Sequence, residues 1–298
     1  MSFFISVILP CHNRRRFFAQ ALAGLSQQTF RNFELIIVDD ASAPPLLETV
    51  RRARLPRWRY LYLGKNRGPA EARNLGIRNA EGDLIALLDS DDVWYPQKLA
   101  VQVRCFADPK IDFVYSNVSE IDGRGRVVLR KVIREGDLDP ASGLPKSLPY
   151  TSTIVLRKKI LARVGLFDPG FRHYYDDSDF WCRVLKKSSG RIHYLSQALA
   201  AYRMPRGKRY SPARYSLSPS LKKESPRIVD YFLDQAYFTI KRRRADQPLP
   251  LKYYRHGRNA GVDLPPLPEN GRYLPWIRRI LENQNEPRCP APRPRPRP

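Results

Sequence analysis

Runs rich in β-forming residues alternate with helix-like patterns over the first two hundred residues. Four of these runs predict strands, at residues 3–10, 33–40, 57–63 and 83–89. Helical patterns follow the first three runs, at 15–28, near 45–54, and from Pro69 to just before Gly82. This β-α-β-α order predicts an α/β fold in which helices on both faces flank a mostly parallel sheet.

The pattern changes after residue 110. Two β-rich runs flank the turn sequence IDGRGR within 111–132, which predicts a smaller antiparallel region built on a hairpin. Further elements are then expected in this order: a loop at 137–149, a strand and short helix over 151–165, a helix over 179–190, and one or two strands within 191–204.

Charge and proline are unevenly distributed along the chain. The net charge is +24, and more than half of the 27 prolines follow residue 200. This shift predicts a folded domain at 1–205 and a basic, Pro-rich C-terminal extension at 206–298. The extension is expected to be partly helical, near 221–243, with a disordered tail.

Several sequence patterns are missing, and their absence argues against some classes of protein. No apolar run reaches the roughly 18 residues of a spanning helix, and the N-terminus lacks the signal-peptide pattern, so a cytoplasmic protein is predicted. The four cysteines are scattered without a CxxC pair, which argues against a disulfide framework and a zinc site.

Polar residues follow three of the predicted parallel strands. They are Pro10 to Asn13, Asp39 with Asp40, and the cluster of Asp89, Asp91 and Asp92. Ligands of open parallel sheets bind beyond the carboxyl ends of the strands, so these residues can line one crevice. Crowded carboxylates suit Mg²⁺ or Mn²⁺, which could bridge a diphosphate. A solvated acidic turn ahead of a helix near 95–106 explains the same three residues without a metal.

A second acidic cluster, Asp176, Asp177 and Asp179, lies between aromatic residues. A carboxylate beside aromatic rings can have a raised pKa, which suits a general base. The alternative is a helix start, where acidic residues are favourable in the first turn.

Two functional classes are considered at this point. The charge supports nonspecific nucleic-acid binding, although no recognised nucleic-acid module is present. A sugar-phosphate nucleotidyltransferase has a related architecture, but its glycine-rich loop is missing from PCHNRRRF. The dinucleotide fingerprint and the P-loop are both missing as well.

Five segments in order resemble the family-2 glycosyltransferases, which have the Rossmann-like GT-A fold. They are SVILPCHN, QTFRNFELIIVDDAS, NRGPAEARNLGI, LLDSDD and DDSDFWCRV. The resemblance covers roughly residues 4–205, and five such segments at family-like spacing are specific together. Asp176 stands where the family usually has Glu.

The resemblance implies a metal-dependent, inverting transfer of sugar from a nucleoside diphosphate sugar to an acceptor hydroxyl. It also implies a role for each matching position. The residues implied to contact the donor nucleotide are Pro10, Asn13, Asp40, Arg73 and Asp89. The implied metal ligands are Asp89 and Asp91, and the implied catalytic base is Asp177. Acceptor-side or supporting roles are implied for Asp92, Asp176, Trp181 and Arg183.

The resemblance also implies cofactor and partners. Mg²⁺ or Mn²⁺ would be the cofactor, a UDP-sugar the donor, and a saccharide or lipid-linked molecule of the cell envelope the acceptor, with no specific nucleic acid. The basic extension either contacts the inner face of the membrane or is simply solvated. One departure concerns the metal: Pro205 stands where the family has a ligating His. The metal would then be held by Asp91, water and diphosphate, or His173 or His193 would contribute.

Overall fold

The computed structural model describes residues 3–55, 57–129, 149–170, 176–187 and 191–204. The strands are β1 (Ile5–Cys11), β2 (Phe33–Asp39), β3 (Trp58–Tyr62), β4 (Leu84–Leu87), β5 (Val93–Trp94), β6 (Ile111–Ile121), β7 (Val127–Leu129), β8 (Ile154–Arg157) and β9 (Arg191–Arg203). The α-helices are α1 (Arg15–Ser26), α2 (Leu47–Arg51), α3 (Pro69–Arg78), α4 (Lys98–Cys105), α5 (Leu161–Val164) and α6 (Asp176–Lys187). Short 3₁₀ turns occupy Thr151–Thr153 and Lys158–Ile160.

One mixed sheet organises these elements. Its order is β3-β2-β1-β4-β8-β6-β9-β5, with β7 paired to β6. The first four strands are parallel to one another, and β6 is parallel to β9. Strands β8, β7 and β5 run antiparallel to their neighbours. In the described part of the chain most strands therefore share one direction, which confirms the predicted α/β class.

Alternate side chains of the central strands enter two separate cores. Val7 and Leu9 of β1 pack with α1 and α4, whereas Ile8, between them, packs with α3 and α6. This is the two-residue period of a strand with both faces covered. Every residue of β1 and β2 is buried, as their nearly continuous apolar runs indicate.

Several predicted boundaries need correction. Helix α6 begins at Asp176 rather than at residue 179, because its acidic residues occupy the first turn. The segment after 190 forms one long strand, and β5 was not expected. The β6–β7 hairpin is confirmed over its described residues. Most of the predicted loop at 137–149 and all of the extension at 206–298 lie outside the described residues, so these remain predictions.

No helix within the described ranges is both long and apolar enough to cross a bilayer.

Gly82 is required where the chain enters β4. A Cβ there would lie 2.5 Å from the Ser6 nitrogen and 2.8 Å from the Phe4 carbonyl oxygen, both backbone atoms. Gly82→Ala is therefore expected to lower the free energy of unfolding by about 1–3 kcal/mol, the usual cost of overpacking. Urea unfolding measures the change. Gly170→Ala is the control, since its Cβ meets only the side chain of Asp168, and an unchanged midpoint for Gly82→Ala would contradict the argument.

Candidate active site

The strand order reverses beside β1, since β2 and β4 lie on its two sides. Ligands of open α/β sheets bind at such a switch point, beyond the carboxyl ends. Asn13, just after β1, has a φ of 58° in the left-handed region, which Asn tolerates. Its backbone N–H donates to Ser42 Oγ at 2.9 Å, and its Oδ1 accepts from the Ala43 N–H at 2.8 Å. Asn13 therefore joins the loops that follow β1 and β2.

The two carboxylates at the end of β2, Asp39 and Asp40, hold neighbouring loops. Asp40 is buried and accepts the backbone N–H groups of Arg67 at 2.7 Å and Gly68 at 2.8 Å. Asp39 accepts those of Ser42 at 2.8 Å and Leu46 at 2.9 Å. Asp40 thus fixes the residues that lead into α3, in addition to any contact with a nucleotide.

Pro10 is the next-to-last residue of β1, where it pairs with Val38 of β2 and is buried. Proline has no backbone N–H to donate. The role of Pro10 at the border of a nucleotide pocket therefore stays a prediction.

Arg73 of α3 connects the two acidic clusters. One guanidinium nitrogen, Nη2, donates to Asp89 Oδ1 at 2.6 Å, and Nη1 forms an ion pair with Asp176. The guanidinium also lies over the Phe167 ring, 5.3 Å from its centroid. Burial lowers the pKa of Arg73, but the nearby carboxylates of Asp89, Asp176 and Asp177 outweigh burial and raise it. Arg73 is therefore a permanent cation between the clusters.

Asp92 points away from the crevice. Its carboxylate is buried, accepting from Ser152 Oγ at 2.5 Å and from the Arg203 backbone N–H at 2.9 Å. Burial, followed by the charge of Asp89, raises the pKa of Asp92 to about 7. Asp92 is placed to support the turn rather than to contact an acceptor.

Arg203, at the end of β9, holds that turn from a distant part of the sequence. Its Nε donates to the Asp91 carbonyl at 2.7 Å, and its Nη1 donates to the Asp122 carbonyl at 2.8 Å. The guanidinium also lies over the Phe17 ring at 4.4 Å. Arg203 holds the backbone of Asp91 in place, which limits the positions that the Asp91 side chain can take.

The N-terminus of α6 brings the second acidic cluster to the site. Asp177 Oδ2 accepts from Thr151 Oγ1 at 3.4 Å, and the Asp177 side chain is half-buried. Burial raises the pKa of Asp176 to about 6, against the lowering effect of Arg73. The 3₁₀ turn Thr151–Thr153 thus touches Asp177 through Thr151 and Asp92 through Ser152, so it spans both clusters.

Trp181 and Arg183, for which an acceptor-side or a supporting role was predicted, make contacts that support α6. Trp181 is 1% exposed and packs edge-on against Phe113 and Phe167, so it belongs to the core. Arg183 donates to Asp179 Oδ2 at 2.6 Å and to the Val164 carbonyl at 2.7 Å. These contacts anchor the helix whose first turn carries Asp177.

The donor groups available to a divalent cation are two partly exposed carboxylates. The side chains of Asp89 and Asp91 are 28% and 25% exposed. Within the described ranges no three His, Cys, Asp or Glu side chains form a ligand cluster. A hard cation held by one or two carboxylates, with water and substrate phosphates as further ligands, fits this set. Asp89 and Asp91 could therefore hold Mg²⁺ or Mn²⁺ only together with such ligands.

Of the two histidines named as possible ligands, the described one, His193, does not complete this set. His193 lies ten residues before Arg203 on β9, which is roughly 30 Å along an extended strand. It pairs with Val114, at the end of β9 away from Asp91. His193 is therefore not a ligand of a metal at Asp91. His173 and Pro205 lie outside the described residues.

Four contributors to the site were not predicted from the sequence. They are Arg14, Thr151, Ser152 and, as the residue that fixes the turn, Arg203. Arg14 forms an ion pair with Asp91, and the others make the contacts given above. Serine, threonine and arginine are common residues, and sequence periodicity does not indicate which of them contact the site. The fold is needed to identify the residues that lie opposite them.

One acidic cluster lies just beyond β4 and the other in the first turn of α6, and Arg73 contacts both. Residues 6–168 match glycosyl transferase family 2, and the chain belongs to that family. The match favours sugar transfer over nucleic-acid binding and over nucleotidyl transfer.

Similar sequences are glycosyltransferases that have not been characterised. The chain is 29% identical over 239 residues to one from Rickettsia conorii, covering 79% of this chain but 38% of that protein. It is 26% identical over 242 residues to one from Haemophilus influenzae, covering 78% of this chain and 95% of that protein. The chain thus spans about two fifths of the Rickettsia conorii relative.

Two solved structures share the fold. S. aureus TarS 1–349 in complex with UDP has a TM-score of 0.60 and 21% identity, covering 80% of this chain and 71% of that chain. The mannosyltransferase PcManGT from Pyrobaculum calidifontis, in complex with GDP-Man and Mn²⁺, has a TM-score of 0.54 and 17% identity. It covers 95% of this chain and 75% of that chain. These likenesses support the GT-A architecture.

Proposed function

We propose that this chain transfers a sugar from a nucleoside diphosphate sugar to an acceptor hydroxyl, with inversion at the anomeric carbon. One observation carries the proposal: Arg73 holds Asp89, on the donor side, and Asp176, beside the base, at a single guanidinium. Asp89, on the donor side, and Asp176, beside the base, are thereby held close together, while the two acidic clusters stay separate. A UDP-sugar is the first donor to test, since the TarS structure contains UDP.

Asp177 is the proposed base. It takes the proton of the acceptor hydroxyl while the oxygen attacks the anomeric carbon, and the bond from that carbon to the diphosphate oxygen breaks. The nucleoside diphosphate leaves from the opposite face of the sugar. Thr151 orients the Asp177 carboxylate through the hydrogen bond to Oδ2. A single displacement of this kind requires one base on the far face of the sugar.

Asp89 and Asp91 would hold a divalent cation, which would supply positive charge to the departing diphosphate. Arg73 keeps Asp89 oriented, and Arg203 fixes the backbone of Asp91. Asp40 and Asn13 hold the loops that border the nucleotide pocket.

The acceptor in this proposal is a saccharide or a lipid-linked molecule used in cell-envelope polysaccharide or glycolipid synthesis. The basic extension after residue 205 supports contact with the inner face of a membrane, because basic residues are attracted to anionic headgroups. A transfer assay with UDP-, GDP- and dTDP-sugars and Mn²⁺ tests the activity, and NMR of the product gives its anomeric configuration. A retained configuration, or no transfer from any donor, would contradict the proposal.

Asp91→Asn is expected to weaken Mn²⁺-dependent binding of UDP by at least about tenfold. Losing one charged ligand costs on the order of 1.5–3 kcal/mol. Calorimetry with and without Mn²⁺ measures the effect. Glu48→Gln removes one negative charge from the exposed side of α2 and should bind UDP like the wild type. Equal UDP affinity in Asp91→Asn and Glu48→Gln would remove Asp91 from the metal site.

A further inference from the structure

Three consecutive arginines, Arg14 to Arg16, stand at the start of α1. The first turn of this helix contains no acidic residue. The N-terminal end of a helix carries partial positive charge, so basic residues are unfavourable there. A local rule that is broken at the mouth of a candidate site indicates a function for the charge.

The first two arginines point to different partners. Arg15 donates to the Pro44 carbonyl at 3.2 Å and to Thr49 Oγ1 at 3.3 Å, which joins α1 to α2 and to the loop before it. Arg14 reaches across the crevice to the carboxylate of Asp91, which is 77 residues away in the sequence. Only Arg14 of these two therefore touches a proposed metal ligand.

This ion pair puts a cation on the carboxylate that a divalent ion would use. A guanidinium and a divalent cation at one carboxylate repel each other, so each lowers the affinity of the other. The Arg14 side chain is 57% exposed, and exposed ion pairs contribute little to stability. Arg14 can therefore leave Asp91 at low cost when a better anion arrives.

A diphosphate is such an anion. Its oxygens accept paired hydrogen bonds from a guanidinium and also bind a hard divalent cation. With diphosphate present, the cation can hold Asp91 while Arg14 moves to the phosphate oxygens, so the two positive charges no longer compete. The Asn13 contacts with Ser42 and Ala43 fix the backbone just before Arg14, so only its side chain has to move.

We propose that Arg14 is a diphosphate-binding residue that occupies Asp91 in the free protein and releases it when the donor binds. Divalent metal alone then binds weakly, and donor and metal enter together. This inference rests on the proposed function, because it takes Asp91 as the metal ligand and a nucleoside diphosphate as the ligand.

Two titrations on Arg14→Gln and on Arg15→Gln test it. Arg15→Gln is the matched control. It removes the same charge from the neighbouring residue, whose side chain does not touch Asp91. Mn²⁺ alone, followed by EPR of the free ion, should bind Arg14→Gln about two- to fivefold more tightly than Arg15→Gln, the range of an exposed ion pair. UDP in the presence of Mn²⁺ should bind Arg14→Gln about tenfold more weakly, because a charge-assisted hydrogen bond is lost.

The double variant Arg14→Gln/Asp91→Asn tests whether the effect of Arg14 on Mn²⁺ binding requires Asp91. On the Asp91→Asn background, Arg14→Gln should no longer tighten Mn²⁺ binding. Equal Mn²⁺ affinity in Arg14→Gln and Arg15→Gln, or equal UDP affinity in the two, would overturn the inference. If the wild type transfers sugar but either equality between the two variants is found, only this role of Arg14 is refuted. If the wild type neither transfers sugar nor binds UDP, the proposed function is refuted.

Discussion

Asp177→Asn is expected to lower kcat by about 10²–10⁴-fold, the usual contribution of a positioned general base. Asparagine has nearly the same shape as aspartate and can still accept from Thr151 Oγ1, but it cannot take a proton. Affinity for UDP with Mn²⁺ should remain close to that of the wild type, because the proposed donor ligands lie at Asp89 and Asp91. Steady-state transfer assays and calorimetry separate the two effects.

Asp179→Asn is the matched control for this prediction. Asp179 lies in the same first turn of α6, and its carboxylate bonds to Arg183 rather than to Thr151. Arg183 keeps its second bond, to the Val164 carbonyl, in that variant. Transfer by Asp179→Asn should therefore stay close to wild type, and near-normal turnover by Asp177→Asn would show that the base is another group.

Arg73→Leu is expected to lower the free energy of unfolding by about 3–5 kcal/mol, the usual cost of removing one partner of a buried ion pair. The Arg73 side chain is 7% exposed, as is that of Asp176, so water cannot replace the lost cation. Urea unfolding at neutral pH measures this. Arg78→Leu is the control on the same helix, because its ion pair with Glu71 is exposed and contributes at most about 1 kcal/mol.

The stability deficit of Arg73→Leu should depend on pH. Arg73 lowers the pKa of Asp176, which burial already raises to about 6, so removing Arg73 moves that pKa higher still. A carboxyl group whose folded pKa exceeds its unfolded pKa of about 4 reduces stability as pH rises toward the folded value. The deficit should therefore be larger at about pH 8 than at about pH 5. A deficit that does not change between these two values would contradict the assigned role of the Asp176 charge.

The periodicity of the sequence was sufficient for the central sheet. Strands β1, β2 and β4 are nearly continuous apolar runs with both faces covered, and such runs have few alternative structures. Helix α6 begins three residues before the predicted position, because Asp176 and Asp177 lie in its first turn. Their position in its first turn follows from the partial positive charge of a helix N-terminus.

The direction of each side chain could not be predicted in the same way. Asp91 and Asp92 are neighbours, yet Asp91 faces Arg14 in the crevice and Asp92 is buried against Ser152. Trp181 lies four positions after Asp177 but belongs to the core. These differences depend on contacts with residues 60 or more positions away, such as the bond from Ser152 to Asp92, which sequence periodicity does not contain.

The contact between Arg203 and Asp91 also constrains when the site can form. Arg203 is synthesised 112 residues after Asp91, whereas β1, β2, β3 and β4 all precede Asp91 in the chain. The parallel strands can pair while the ribosome is still adding later residues, but the turn at Asp91 and Asp92 lacks its arginine until β9 has been made. Closing so long a loop is entropically costly and slow. Nascent chains that end before β9 should therefore have paired parallel strands β1 to β4 and an unfinished donor side.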